Sequence, residues 1–191
     1  MIKAAKKITQ LLAVVSTMSL LGCGGSAETE TKPDKIDPQQ PVSDWALVWS
    51  DELDVTDGEA INAQNWTHEV DCNGGGNQEK QCYTANVENS YVKDGTLSLV
   101  ALPAEEGAAL PFTSARMITR YKADFKYGRF EMRAKLPQGQ GSWPAFWMLP
   151  TDYVYGEWPK SGEIDILEAV NLKTIDAQGN VEANVHGTLH Y

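Results

Sequence analysis

Basic residues are in short supply: 16 lysines and arginines face 26 aspartates and glutamates, a formal net charge of −10. That balance argues against nucleic acid or an anionic polysaccharide as the preferred partner and suits a neutral ligand. Cysteine is scarce too, with three in 191 residues. Cys72 and Cys82 lack the second ligand pair of a structural zinc site, so no metal ligands are assigned. After Trp45 there is no long amphipathic helical pattern, which excludes a helical bundle. Long apolar runs are missing as well. The most apolar stretch, Ile8 to Leu21, is broken by Thr9, Gln10, Ser16, Thr17 and Ser19 and is too short for a membrane span.

What the N-terminus does carry is a leader. Lys3, Lys6 and Lys7 precede the apolar stretch, as in a signal peptide, and Leu20-Leu21-Gly22-Cys23 resembles the bacterial lipoprotein box. Residues 1–22 are therefore expected to be removed, leaving Cys23 as the lipidated N-terminus of an exported protein. Such a protein sits in the bacterial cell envelope, at the outer membrane or cell surface, and touches the membrane only through the lipid. Residues 23–41 hold no bulky apolar side chain except Ile36 and read as a flexible tether. Residues 42–191 form the domain. With Cys23 set aside, Cys72 and Cys82 are candidates for a disulfide in an oxidising compartment.

The domain reads as short strands separated by turns. Ala46 to Ser50 and Gly95 to Val100 are strand candidates, the second entered through Asp94-Gly95. After Tyr127-Gly128, Phe130, Met132, Ala134 and Leu136 alternate with Arg129, Glu131, Arg133 and Lys135, the pattern of a half-buried antiparallel strand. Ser142 to Leu149 is apolar on both faces and is expected to be a central strand, with Pro144 marking an irregular start. The fold class that follows is all-β, two antiparallel sheets packed face to face.

The segment Glu163-Ile164-Asp165-Ile166-Leu167-Glu168 holds three carboxylates. As a helix it would bury Ile164 and Leu167 and leave the acids in water; as a plain exposed strand it would be a solvated charge run. On a strand, Glu163 and Asp165 share one face while Ile164 points into a core. Glu168 falls on the wrong face unless one extra residue at Ile166-Leu167, a β-bulge, restores the parity. Three aligned acids give folding no evident gain, whereas glycoside hydrolysis needs two carboxyl groups with separated pKa values. Trp143 and Trp147, four apart in the preceding strand, supply rings that stack on sugar faces.

The motifs Trp143-Pro144-Ala145-Phe146-Trp147-Met148-Leu149 and Gly162 to Glu168 together resemble glycoside hydrolase family sixteen, in its laminarinase branch with the bulged Glu-x-Asp-x-x-Glu form. Further matches are Trp49 to Leu53, Gly76 to Glu79, Gln81 to Thr84, Ser114 to Arg116, and His186 to His190. The resemblance implies a concanavalin-like β-jelly roll and a retaining endo-β-1,3-glucanase acting on laminarin-type or mixed-linkage β-glucan. By it Glu163 is the nucleophile, Glu168 the acid/base, and Asp165 adjusts their protonation. Asn77, Arg116, Trp143, Trp147 and His190 line the sugar subsites, while His186 is a structural histidine. Cys82 stands where many relatives have an aromatic ring. No cofactor is required, a structural calcium near Glu52 is a family feature, and a monomer is expected.

Alternatives remain in view: a hydrolase of a marine galactan such as agarose or carrageenan, a non-catalytic carbohydrate-binding jelly-roll module, or a purely structural surface lipoprotein. Family domains continue for several strands past the position of Tyr191. The jelly roll is accordingly expected to be incomplete at its C-terminus, with open sheet edges, and residues 42–191 alone to be unstable or inactive.

Overall fold

The computed structural model describes residues 2–7 and 45–191. No helix occurs among the described residues. Thirteen strands follow in order: β1 (Ile2–Lys7), β2 (Trp45–Asp51), β3 (Thr67–Glu69), β4 (Gln81–Tyr83), β5 (Ser90–Lys93), β6 (Thr96–Leu99), β7 (Leu102–Pro103), β8 (Phe112–Ser114), β9 (Arg116–Ile118), β10 (Arg129–Met132), β11 (Ala145–Met148), β12 (Glu163–Glu168) and β13 (His186–His190). The hydrogen-bonded ladders are short and fall into five sheets, ordered β10-β1-β2, β11-β12-β13, β3-β9, β4-β8-β7 and β5-β6. All pairings are antiparallel except β4 with β8, where Gln81, Cys82 and Tyr83 run alongside Phe112, Thr113 and Ser114.

Burial is concentrated where β-branched and aliphatic side chains converge: Leu53, Ile61 and Val92, ringed by Val55, Trp66, Leu97 and Met117. Beside it, Trp49 meets Trp66 and Phe125 edge-on, and Phe125 meets Phe130, at centroid separations of 5.4–6.0 Å, the geometry aromatic quadrupoles prefer. Asp51, 7% exposed, terminates β2. Its Oδ1 accepts from Leu53 N and its Oδ2 from Asn65 Nδ2 and Trp66 Nε1, each at 2.9 Å. Those bonds hold Leu53 at a φ of 63°, a left-handed conformation that a leucine does not adopt unaided.

In the full chain, before any removal of the expected leader, Ile2–Lys7 is the middle strand between β2 and β10, with Ala4 buried and Lys3 Nζ 3.5 Å from Glu52. The rest of the leader, Cys23 and the tether lie outside the described residues. Strand β10 ends at Met132, so Ala134 and Leu136 do not extend it. Met132 pairs with Ile2, the first residue of β1. Among the described residues strand β11 pairs only with β12, so the apolar segment is an outer strand of its sheet and β12 is the central one. Ile164, expected to face a core, is 46% exposed, because no described element covers that side of β12.

Candidate active site

Strand β12 contains the extra residue. Against β11, Phe146 pairs with Leu167 and Trp147 with Asp165, which passes over Ile166. Against β13, Glu163 faces His190, Asp165 faces Thr188 and Glu168 faces His186. The β13 partners are spaced two, then two, whereas the β12 acids are spaced two, then three. Since residues two apart on a strand share a face, the bulge puts Glu163, Asp165 and Glu168 on one side of the sheet. Ala145 and Trp147 of β11 carry the same parity, opposite Glu168 and Asp165, so Trp147 projects from the face that holds the acids.

Each outer glutamate accepts a hydrogen bond from an indole. Trp158 Nε1 donates to Glu163 Oε2 and Trp143 Nε1 to Glu168 Oε1, both at 2.9 Å. Asp165, between them, is 4% exposed. His190 Nε2 lies 3.1 Å from Asp165 Oδ2 and 3.9 Å from Glu163 Oε1, and its ring packs on that of Trp158 at 5.7 Å. Burial pushes the Glu163 carboxyl above the usual glutamate range, and the Asp165 carboxylate adds to the push. The Trp158 N–H and the His190 ring pull the other way. Asp165 therefore acts on the protonation of Glu163, since a like charge at this range disfavours the ionised carboxylate.

Arg116 and Asn77 belong to a second cluster. Arg116 forms ion pairs with Glu69 through Nε at 2.5 Å and with Asp71 through Nη2 at 3.3 Å, and its guanidinium lies 4.6 Å above the Tyr83 ring. The two carboxylates and the ring brace β9 against β3 and β4 and leave other N–H donors of the guanidinium without a protein partner among the described residues. Tyr83 Oη donates to Glu79 Oε2 at 2.6 Å, which also accepts from Gln81 Nε2. Burial and that carboxylate push the Tyr83 hydroxyl up to about 12. Cys72 and Cys82, the latter next to Tyr83 in β4, are joined in a disulfide. The loop they close contains exposed Asn77, whose N–H bonds to Gly74 O. Gly75 in that loop has a φ of 57°, and a Cβ there would sit 2.3 Å from Glu79 Oε1, so the carboxylate needs a glycine beneath it.

The structure thus places Glu163, Asp165, Glu168, Trp147 and His190 on one sheet with Trp143 bonded to Glu168, and places Arg116 in a separate cluster and Asn77 in the disulfide-closed loop. His186 is exposed and faces Glu168 across the ladder. Trp158 was not singled out from the sequence. It sits in an irregular loop with no periodicity to mark it, and its position five residues before Glu163 was the only signal. One ligand atom each from Glu163, Asp165 and His190 lie within 4.8 Å of one another, the one convergent set among the described residues. Around Glu52 the fit to a calcium is poor: both Asp51 oxygens are taken by protein donors, and Glu52 lies against Lys3.

Comparison with known proteins gives a consistent picture. The family model described as "XgeA-like, catalytic GH16 domain" matches residues 116–186. The chain is 40% identical to the beta-glucanase of Rhodothermus marinus, over 98% of this chain and 58% of that protein. Among solved structures it resembles the laminarinase from Rhodothermus marinus, with 45% identity and a TM-score of 0.66, covering 76% of this chain and 55% of that one. It also resembles the laminarinase from Flavobacterium sp. UMI-01, with 32% identity and a TM-score of 0.56, covering 76% and 69% respectively. The chain spans a little over half the length of the curated beta-glucanase it matches.

Proposed function

The chain belongs to glycoside hydrolase family sixteen, and we propose that it is a retaining endo-glycosidase of laminarin-type β-1,3-glucan or mixed-linkage β-1,3-1,4-glucan. Its all-β framework is the concanavalin-like jelly roll of the laminarinases. The observation that carries the reading is the bulge in β12, which turns three acids onto one face with an indole N–H on each outer one.

In the first step Glu168 gives its proton to the glycosidic oxygen as that oxygen leaves the anomeric carbon. Glu163 attacks the same carbon from the opposite side, and a glycosyl ester forms. In the second step Glu168, now a carboxylate, takes a proton from water; the water oxygen bonds to the anomeric carbon and the ester breaks. Retention requires the two carboxyl groups roughly 5–5.5 Å apart. Asp165, nearly sealed from solvent, sets a like charge beside Glu163 and so favours the protonated form of that carboxyl. Trp143 and Trp147 offer rings to the apolar faces of glucose units, with Asn77 and Arg116 at further subsites.

The acidic chain suits a neutral glucan better than a sulfated galactan. The leader and Cys23 support export and lipid anchoring at the bacterial outer membrane or cell surface, as a monomer.

The test is release of new reducing ends from laminarin, lichenan, agarose and carrageenan by the full chain, with anomeric configuration followed by proton NMR. Cleavage of laminarin or lichenan with retained configuration is expected. Cleavage of the galactans alone, or inversion, overturns the reading. Glu163→Gln is expected to abolish turnover and keep laminarin binding; unchanged behaviour in both would identify a binding module.

A further inference from the structure

We propose that the two indoles facing the acids divide the chemistry between them: Trp158 positions Glu163 for attack, and Trp143 positions Glu168 for proton transfer. The inference rests on the glycosidase reading above and concerns how its two glutamates are made different.

Neither indole is where burial would put it. Trp158 is 56% and Trp143 48% exposed, so neither ring gains much from leaving water. Both nevertheless point their single polar atom at a carboxylate, at 2.9 Å. An indole N–H donates and never accepts, so each bond favours a carboxylate oxygen and fixes which oxygen is left. Trp158 ties down Oε2 of Glu163. Oε1, 3.9 Å from His190 Nε2 and beyond hydrogen-bond reach, is left free to bond to the anomeric carbon. Trp143 ties down Oε1 of Glu168, so the transferable proton resides on Oε2.

The two anchors come from different elements. Trp143 precedes β11, and its neighbour Pro144 accepts at its carbonyl from Ala169 N, just past Glu168. Trp158 lies in the loop before β12, where Ser161 Oγ donates to Gly156 O and accepts from Tyr155 N. Its ring also packs on His190, the partner of Asp165. Removing one N–H should therefore disturb one glutamate and leave the other in place. That independence makes the division testable, because an activated leaving group departs without a proton. Loss of acid catalysis is masked by such a substrate; loss of nucleophile positioning is not.

Trp158→Phe and Trp143→Phe keep an aromatic ring and delete the donor. The wild-type chain and both variants are assayed on laminarin and on a dinitrophenyl β-laminaribioside, with guanidinium unfolding to verify the fold of each. Removing one bond to a charged group is expected to lower kcat on laminarin roughly 10- to 100-fold in either variant. On the dinitrophenyl substrate Trp143→Phe should return close to the wild-type rate. Trp158→Phe should stay slow by the same factor, with KM within about threefold. It should also be labelled more slowly at Glu163 by an epoxyalkyl β-glucoside. A Trp158→Phe chain rescued by the activated substrate, or equal to wild type on both, overturns the division alone. A wild-type chain that turns over neither substrate overturns the glycosidase reading and the division with it.

Discussion

The bulge in β12 should be removable without loss of chemistry, which is the sharpest consequence of the register. The β13 residues His190, Thr188 and His186 are spaced two apart, about 6.8 Å per interval, and each faces one acid. That partner strand already sets an even spacing. Deleting Ile166 leaves Glu-Ile-Asp-Leu-Glu, in which regular alternation returns each acid to the same partner. The expected kcat/KM on laminarin lies within about tenfold of wild type, or about 1.4 kcal/mol. Deleting both Ile166 and Leu167 makes Glu168 the neighbour of Asp165 and sends it to the opposite face. Loss of the acid/base should then cost roughly 10²- to 10⁴-fold. Reducing-end assays on the three chains, each first shown to unfold cooperatively, read the outcome directly. A folded single-deletion chain with no activity, or an active double-deletion chain, would refute the parity argument.

Further outcomes follow from groups away from the acids. Asp51→Ala strips acceptors from Leu53 N, Asn65 and Trp66 and releases a strained Leu53. Unfolding stability should fall by about 3 kcal/mol, checked by guanidinium denaturation, and a loss under about 1 kcal/mol would contradict the assigned bonds. The Tyr83 hydroxyl, raised to about 12 against roughly 10 in an unfolded chain, favours the folded state below pH 10 and loses that contribution as pH climbs through 12. A tyrosinate absorbance titration should show one late-titrating tyrosine, and Glu79→Gln should bring it down. Deleting residues 2–7 bares the facing edges of β2 and β10. Amide exchange in both strands should accelerate, whereas unchanged protection would mean that β1 is not what holds them.

How much of this was legible in the sequence depended on range. The parity mismatch between Glu163 and Glu168 is a local property, and it was enough to place the bulge. The short runs Ala46 to Ser50 and Gly95 to Val100, the second entered through Asp94-Gly95, likewise gave β2 and β6. Facts set by distant chain were not readable. Arg116 meets Glu69 and Asp71 from more than forty residues away, so its bracing role had no local mark. The exposure of Ile164 and the outer position of β11 depend on what packs or pairs beside them, which periodicity does not encode. Trp158 escaped notice because irregular loops carry no repeating pattern. Ile2–Lys7 has the charge and apolar content of a leader, and those same small and aliphatic residues also fit a strand slot.

The most direct measurement is to trap the nucleophile. A fluorinated β-glucoside with an activated leaving group is turned over slowly, and the glycosylated chain is then digested and mapped by mass spectrometry. A single adduct on Glu163 is the expected result. An adduct on Asp165 or Glu168, or rapid turnover with inverted configuration and no adduct, would contradict the arrangement of roles along β12.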